Sequence, residues 1–139
     1  MYHKILVATD GSQSSLKAAQ AAARLARLTP DATVTVLYVL HVPAVLQPMV
    51  DIPMDAMVRN TGRAVIDSTV GAMELPEVQL RTEIQVGDPA TEIVQFARAG
   101  LFDLVVMGTR GLSPLKEMFL GGVSHRVANT APCPVLLVR

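Results

Sequence analysis

The sequence predicts an α/β fold: an open, five-stranded parallel sheet with helices on both faces, giving three layers (α/β/α) in one domain over residues 1–139. Three observations carry this. Short apolar runs rich in β-branched residues recur at 4–9, 33–42, 78–86, 101–108 and 135–138. Segments with helical periodicity or helix-boundary residues separate them. The 139 residues are 50% apolar and 17% charged, with no internal repeat or dividing linker, as in a chain that buries a single core.

KILVAT (4–9) is continuously apolar between polar neighbours, as a central parallel strand covered on both faces must be. Asp10, Gly11 and Ser12 punctuate its end. From Ser14 to Thr29 the period changes: Leu16, Ala19, Ala23 and Ala26 share one face, while Lys17, Gln20, Arg24 and Arg27 lie largely elsewhere. Ser12 or Ser14 supplies the cap. After a turn at Pro30 and Asp31, TVTVLYVLHV (33–42) is the second strand. Residues 43–53 carry three prolines, match neither period, and are expected as a long, partly apolar loop that could act as a lid. Residues 54–73 read as a helix with Met57, Val65 and Met73 inward.

VQLRTEIQV (78–86) alternates, placing Val78, Leu80, Thr82, Ile84 and Val86 on one face of a half-exposed edge strand. Asp88 can cap the next helix and Pro89 suits its first position; Gly100 closes it after Ala99. LFDLVVMG (101–108) is the fourth strand. A long excursion at 112–120 follows, then a short helix over 123–130 stopped by Pro132 and Pro134, and a last strand, VLLV (135–138). The expected strand order is 3-2-1-4-5, a Rossmann-like sheet. Ligands in such folds sit outside the C-terminal ends of strands, where the order reverses. With strands one and four as neighbours, the loops at 8–12 and 107–124 meet at one crevice.

Twelve basic and twelve acidic residues balance to zero net charge, so no basic footprint for a nucleic-acid polymer is present. A single nucleotide is still compatible, because amides at a helix start can meet its charge. Cys133 is the one cysteine, which excludes a disulfide within the chain and a zinc site built on several thiolates. No window approaches the ~18 charge-free apolar residues of a membrane span, and the opening residues lack a signal-peptide pattern. A cytoplasmic location away from membranes is therefore expected.

The segment MGTRGLSPLKEMFLGGVS (107–124) spaces its glycines as Gly108-x-x-Gly111, nine residues, then Gly121-Gly122. It is not a Walker A loop, because Lys116 is followed by Glu117 and the lysine and hydroxyl are misplaced. Nor is it GxGxxG. One reading is a phosphate grip: amides of Gly122, Val123 and Ser124 at a helix start converge on phosphate oxygens, with the Ser124 hydroxyl as a further donor. The other is a pair of turns before a cap at Ser124.

The chain resembles the universal stress protein family, particularly its ATP-binding branch. The resemblance runs through KILVATDGS, VGDPATEIVQFA, DLVVMGTRG, LKEMFLGGVSHRV and APCPVLLVR, in order and over essentially the whole chain. That branch carries Gly-x2-Gly-x9-Gly-Ser/Thr. Gly108, Gly111 and Gly121 occupy the glycine positions; Gly122 stands where the pattern has Ser or Thr. By position, the resemblance implies Ala8, Thr9 and Asp10 at the adenosine end, Val39 against the base, and Met107 and Gly108 bordering ribose and base. Gly111, Gly121, Gly122, Val123 and Ser124 would surround the phosphates. ATP is the implied cofactor, with any magnesium held through the phosphates, and a homodimer through strand 135–138 is the implied assembly. The glycine at 122 keeps the amide but forgoes a hydroxyl bond to a charged phosphate, worth roughly 1.5–3 kcal/mol.

Among individual side chains, Asp10 suits a ribose hydroxyl or a metal-bound water, and equally an Asx turn opening the first helix. Thr9 reads similarly. Arg110, between two motif glycines, could close over phosphate or stay solvated. Lys116 and Glu117 read as a surface pair, and His125 as a capping or surface residue. Asp88 is better used as a cap than in an acid–base pair with Glu92; His3 and His41 lack metal-ligand spacing. Cys133 reads as a buried structural thiol, and Met49, Met54 and Met57 as lid or core packing. The functional expectation is an ATP-binding, dimeric stress-response or signalling module with little or no catalysis. A scaffold that binds no nucleotide and a weak ATP hydrolase or phosphotransferase are the alternatives.

Overall fold

β1 (Lys4–Thr9) is the centre of the sheet, and Ile5, Leu6 and Val7 are fully buried in it. The computed structural model describes residues 2–41, 53–109 and 122–139, excepting the side chains of 53–55, 57 and 58. After β1 come α1 (Gln13–Arg27), β2 (Thr33–His41), α2 (Pro53–Met73), β3 (Leu80–Gly87), α3 (Pro89–Ala99), β4 (Leu104–Gly108), α4 (Gly122–Thr130) and β5 (Val135–Val138). Every pairing is parallel, in the order β3-β2-β1-β4-β5, as the alternation of apolar runs and helices predicts.

Successive residues of β1 feed opposite layers, as a period of two requires. Ile5 and Val7 pack with five buried alanines of α1 (Ala18, Ala19, Ala22, Ala23 and Ala26) and with Ile66 and Met73 of α2. Leu6 and Ala8 pack on the other side with Leu37, Val105 and Met107, beneath Ala90, Ile93 and Ala97 of α3 and Val127 of α4. The alanine face lets α1 lie close to the sheet, where any larger side chain would overpack by about 1–3 kcal/mol.

Of the two expected caps of α1 the structure selects one, and two strand boundaries differ from expectation for identifiable reasons. Ser12, not Ser14, caps α1: its backbone is extended (φ −70°, ψ 161°) and its Oγ accepts from the Ser15 amide at 3.3 Å. The third strand starts at Leu80, after a 3-10 turn at Glu77–Gln79. Buried Gln79 turns inward to donate to the carbonyls of Ala26, Thr29 and Ala32 at 3.1, 3.3 and 3.1 Å. Val78 is thereby left 76% exposed. Thr82 and Val86 are exposed as well, so the expected inward face holds only at Leu80 and Ile84.

The fourth strand starts at Leu104 rather than Leu101. Leu101 takes the left-handed conformation (φ 55°) that follows a helix C-cap, while Gly100 itself is right-handed (φ −84°). The Phe102 amide reaches the Ala97 carbonyl at 3.0 Å and the Leu101 amide reaches Arg98 at 3.2 Å, which is a Schellman closure. Cys133 is half-buried beside the α3–α4 layer rather than fully enclosed. Among the described residues, no helix is long and apolar enough to cross a membrane.

Candidate functional site

The parallel register builds a crevice at the C-terminal edge of the sheet. Thr9, the last residue of β1, pairs with Tyr38, so Val39, Leu40 and His41 of β2 extend beyond it as a wall. On the other side Ala8 pairs with Met107, which puts Gly108 level with the end of β1. The first turn of α4 and the start of α3 close the remaining side. Together they line a cavity of about 490 Å³, a size typical of small-molecule sites.

Nine of the predicted site residues meet there: Ala8, Thr9, Asp10, Val39, Met107, Gly108, Gly122, Val123 and Ser124. Arg110, Gly111 and Gly121 lie outside the described residues, as do Lys116, Glu117, Met49 and the lid segment before Pro53. The cavity also takes Ser15, Leu37, Tyr38, Leu40, His41, Asp88, Pro89 and Ile93, which the sequence reading did not assign to it. Register is the signal that finds them: β2 outruns β1, and His41 pairs with Gly87, which brings Asp88 and Pro89 alongside.

Gly11, at φ +83°, makes the turn from β1 into α1, a conformation costly for a residue with a Cβ. Gly108 is required by close packing. A Cβ there would lie 2.2 Å from Ser14 Oγ and 2.7–2.8 Å from the backbone of Ser14 and Ser15. The glycine lets β4 press against the start of α1. At Gly122 a Cβ would meet nothing within 4 Å among the described residues.

Polar groups at the sheet edge fall into two sets. Buried Thr9 turns its hydroxyl away from the α3–α4 layer: its Oγ1 lies 3.1 Å from Ser15 Oγ and 2.8 Å from Thr69 Oγ1, and accepts from the Gly11 amide at 3.2 Å. Ser15 and Thr69 donate in turn to the carbonyls of Ser12 and Val65. This network fixes the end of β1 against α1 and α2. Thr9 thus faces the cavity as a part of its wall whose hydroxyl is held from behind.

Asp10 makes the Asx turn, accepting from the Ser12 amide at 2.9 Å. Burial, and then the Asp10 charge, push the Tyr38 phenol above its usual value, so it stays protonated. Ser124 Oγ donates to the Thr109 carbonyl at 3.3 Å, tying the first turn of α4 to the end of β4. His125 is exposed and pairs with Asn129 at 3.2 Å, and it is not among the cavity residues.

Asp88 caps α3, accepting from the Thr91 amide at 3.1 Å and hydroxyl at 2.6 Å. Arg126 of α4 approaches both of its oxygens, at 3.1 and 2.9 Å. The Arg126 and Thr91 hydrogen bonds hold the carboxyl down at about 2.

The site thus has an apolar wall (Ala8, Leu37, Val39, Met107 and Ile93) suited to a planar ring. The same cavity is lined by the start of a nine-residue helix, whose first amides lack partners within the helix and favour an anion.

The description "Universal stress protein family" fits residues 1–139, the full chain. The chain is 38% identical over 149 residues to universal stress protein YxiE of Bacillus subtilis, with both chains fully covered. Universal stress protein UspA from Lactobacillus plantarum superposes with a TM-score of 0.80 at 27% identity, covering 99% of this chain and 98% of that one. A universal stress protein in complex with cAMP superposes with a TM-score of 0.69 at 28% identity, covering 99% and 97%.

Proposed function

The chain belongs to the universal stress protein family, and from that premise we propose that it is an ATP-binding stress-response or signalling module with little or no catalysis. One observation carries the reading: the cavity at the β1–β4 switch point joins an apolar wall to the first turn of α4. Those are the two environments that a nucleoside and its phosphates require. The complex of a relative with cAMP supports the adenine nucleotide class.

In this reading the base lies against Val39, with Ala8, Asp10 and Met107 around the nucleoside. Gly122, Val123 and Ser124 meet the phosphates, joined by Gly111, Gly121 and Arg110 from the adjoining segment. Magnesium accompanies the phosphates; among the described residues no cluster of three or more His, Cys, Asp or Glu is placed to hold a metal. Asp10, the carboxylate nearest to a base for hydrolysis, is engaged by the Ser12 amide, which favours holding over turnover.

Isothermal titration with ATP, ADP and GTP tests the proposal. Saturable heat with ATP is expected, and none at millimolar ATP would overturn it. A nucleotide-free scaffold is favoured by one specific feature, the absence of a hydroxyl at Gly122, and it predicts no adenine released when the purified protein is denatured.

We also propose a homodimer through β5. This strand pairs with β4 on one side, lies at the sheet edge, and carries Leu136 39% exposed. An apolar edge is a liability unless covered, and its two-fold mate would continue the sheet.

A further inference from the structure

Asp88 presents a difficulty that the nucleotide reading does not resolve. It lines the cavity as a carboxylate, where an anionic ligand would meet repulsion. Capping does not require its charge: an asparagine accepts from the helix amides about as well. Its position, however, is fixed by local structure. The backbone enters α3 through Gly87, Asp88 and Pro89, and the carboxylate is held by both polar groups of Thr91. An acidic group therefore stands at the cavity wall because of how the helix starts.

What differs from an ordinary cap is Arg126. It comes from a different helix, 38 residues along the chain, and meets both carboxylate oxygens at 3.1 and 2.9 Å while also reaching Thr91 Oγ1 at 3.3 Å. One guanidinium nitrogen donates to Oδ1 while the other lies in ion-pair contact with Oδ2, a two-point approach that the single ammonium of lysine does not reproduce. Both side chains are partly exposed, at 55% for Arg126 and 38% for Asp88, so the pair adds little to folding stability. Its consequence for a ligand is larger, because the cancelled charge belongs to the cavity wall. Among the described lining residues, Asp10 and Asp88 carry negative charge and no arginine or lysine lines the wall. Neutralising Asp88 halves that acidic charge.

We propose that Arg126 is a positioning residue for the nucleotide site: it cancels the Asp88 carboxylate, so that a phosphate-bearing ligand can occupy the cavity without repulsion from the start of α3. The proposal rests on the nucleotide reading and deepens it. Arg126 acts through Asp88, without touching the ligand. Its effect accordingly scales with ligand charge and disappears when Asp88 loses its own charge.

A charge-removal cycle read by calorimetry tests this, using ATP and adenosine on the wild type, Arg126→Gln, Asp88→Asn and the double variant. Arg126→Gln is expected to weaken ATP on the order of five-fold at about 10 mM ionic strength, where a single charge acts over a Debye length of ~30 Å. Adenosine affinity stays unchanged, and the ATP loss fades at high salt. Asp88→Asn keeps the cap and binds ATP at least as well as wild type. The double variant recovers to within about two-fold of wild type, as expected if the two residues form one coupled unit.

Thermal unfolding of all four proteins separates misfolding from charge. A double variant as weak as Arg126→Gln, or equal losses for adenosine and ATP, overturns the assignment while leaving nucleotide binding intact; the first result would make Arg126 a direct phosphate ligand. Wild type that binds neither ligand overturns both readings.

Discussion

Replacing Gly122 with serine is the sharpest test of the phosphate site. A Cβ at that position meets no described atom within 4 Å, and the residue is exposed at the first position of α4. The change therefore needs no repacking among the described residues. A serine hydroxyl donating to a charged phosphate oxygen is worth roughly 1.5–3 kcal/mol. Fixing its rotamer costs about 0.5–1 kcal/mol. The net, about 1–2 kcal/mol, corresponds to a gain of roughly ten-fold in affinity.

Stability should rise slightly as well, by about 0.5 kcal/mol, because glycine is a poor helix residue. Gly122→Ala supplies the control: it adds the Cβ and the helix propensity without the hydroxyl. Titration calorimetry with ATP and adenosine, alongside urea unfolding, reads both effects. The expected result is tighter ATP binding for Gly122→Ser alone, unchanged adenosine affinity, and a similar stability gain in both variants. Equal ATP affinity for the serine and alanine variants would refute the reasoning, because the hydroxyl would then have no phosphate to meet.

Other outcomes follow from the same geometry. Gly108→Ala drives a Cβ into the backbone of Ser14 and Ser15 and should cost about 1–3 kcal/mol in denaturant unfolding, as overpacking does. Leu101→Gly relieves a left-handed residue that is 80% exposed and should raise stability by about 0.5–1 kcal/mol; a loss would show that the Leu101 side chain packs more than its exposure implies. Asp88 has its folded pKa depressed from 3.8 to about 2, so its stabilising effect is complete above pH 4 and is lost as pH falls from there through 2. With 38% of the side chain exposed the contribution is below about 1 kcal/mol after screening, and Asp88→Asn should flatten that part of an acid titration. Leu136→Lys places a charge on the β5 edge and should convert a dimer to a monomer in sedimentation; an unchanged mass would remove β5 from the interface.

How far the chain could be read in advance depended on whether an element was defined by its own residues. β1 announces itself because Ile5 to Ala8 are apolar without a break between Lys4 and Thr9, a run that suits a strand covered on both faces. The Asp88–Pro89 start of α3 is equally local, since the cap and the fixed proline φ act within one turn. Val78 misled because its alternation with Leu80 is real in the sequence. Its direction is set by Gln79, which turns inward to reach carbonyls some fifty residues earlier. Leu101 likewise looked like strand, yet the Schellman bonds to Ala97 and Arg98 keep it in the helix ending.

By itself, then, the sequence determined the parallel α/β class, the strand order and the glycine spacing that marks one loop. The class follows from periodicity and turn chemistry, and the spacing is read directly; the strand order came by analogy with Rossmann-like sheets rather than from the residues of any one segment. Tertiary structure alone decided what Gly108 is for, where β2 overhangs β1 to form the wall, and that Arg126 of one helix meets Asp88 at the start of another. Those depend on register and on helices packing from different parts of the chain. A residue's neighbours across the fold, unlike its neighbours along the chain, carry no signal in its spacing.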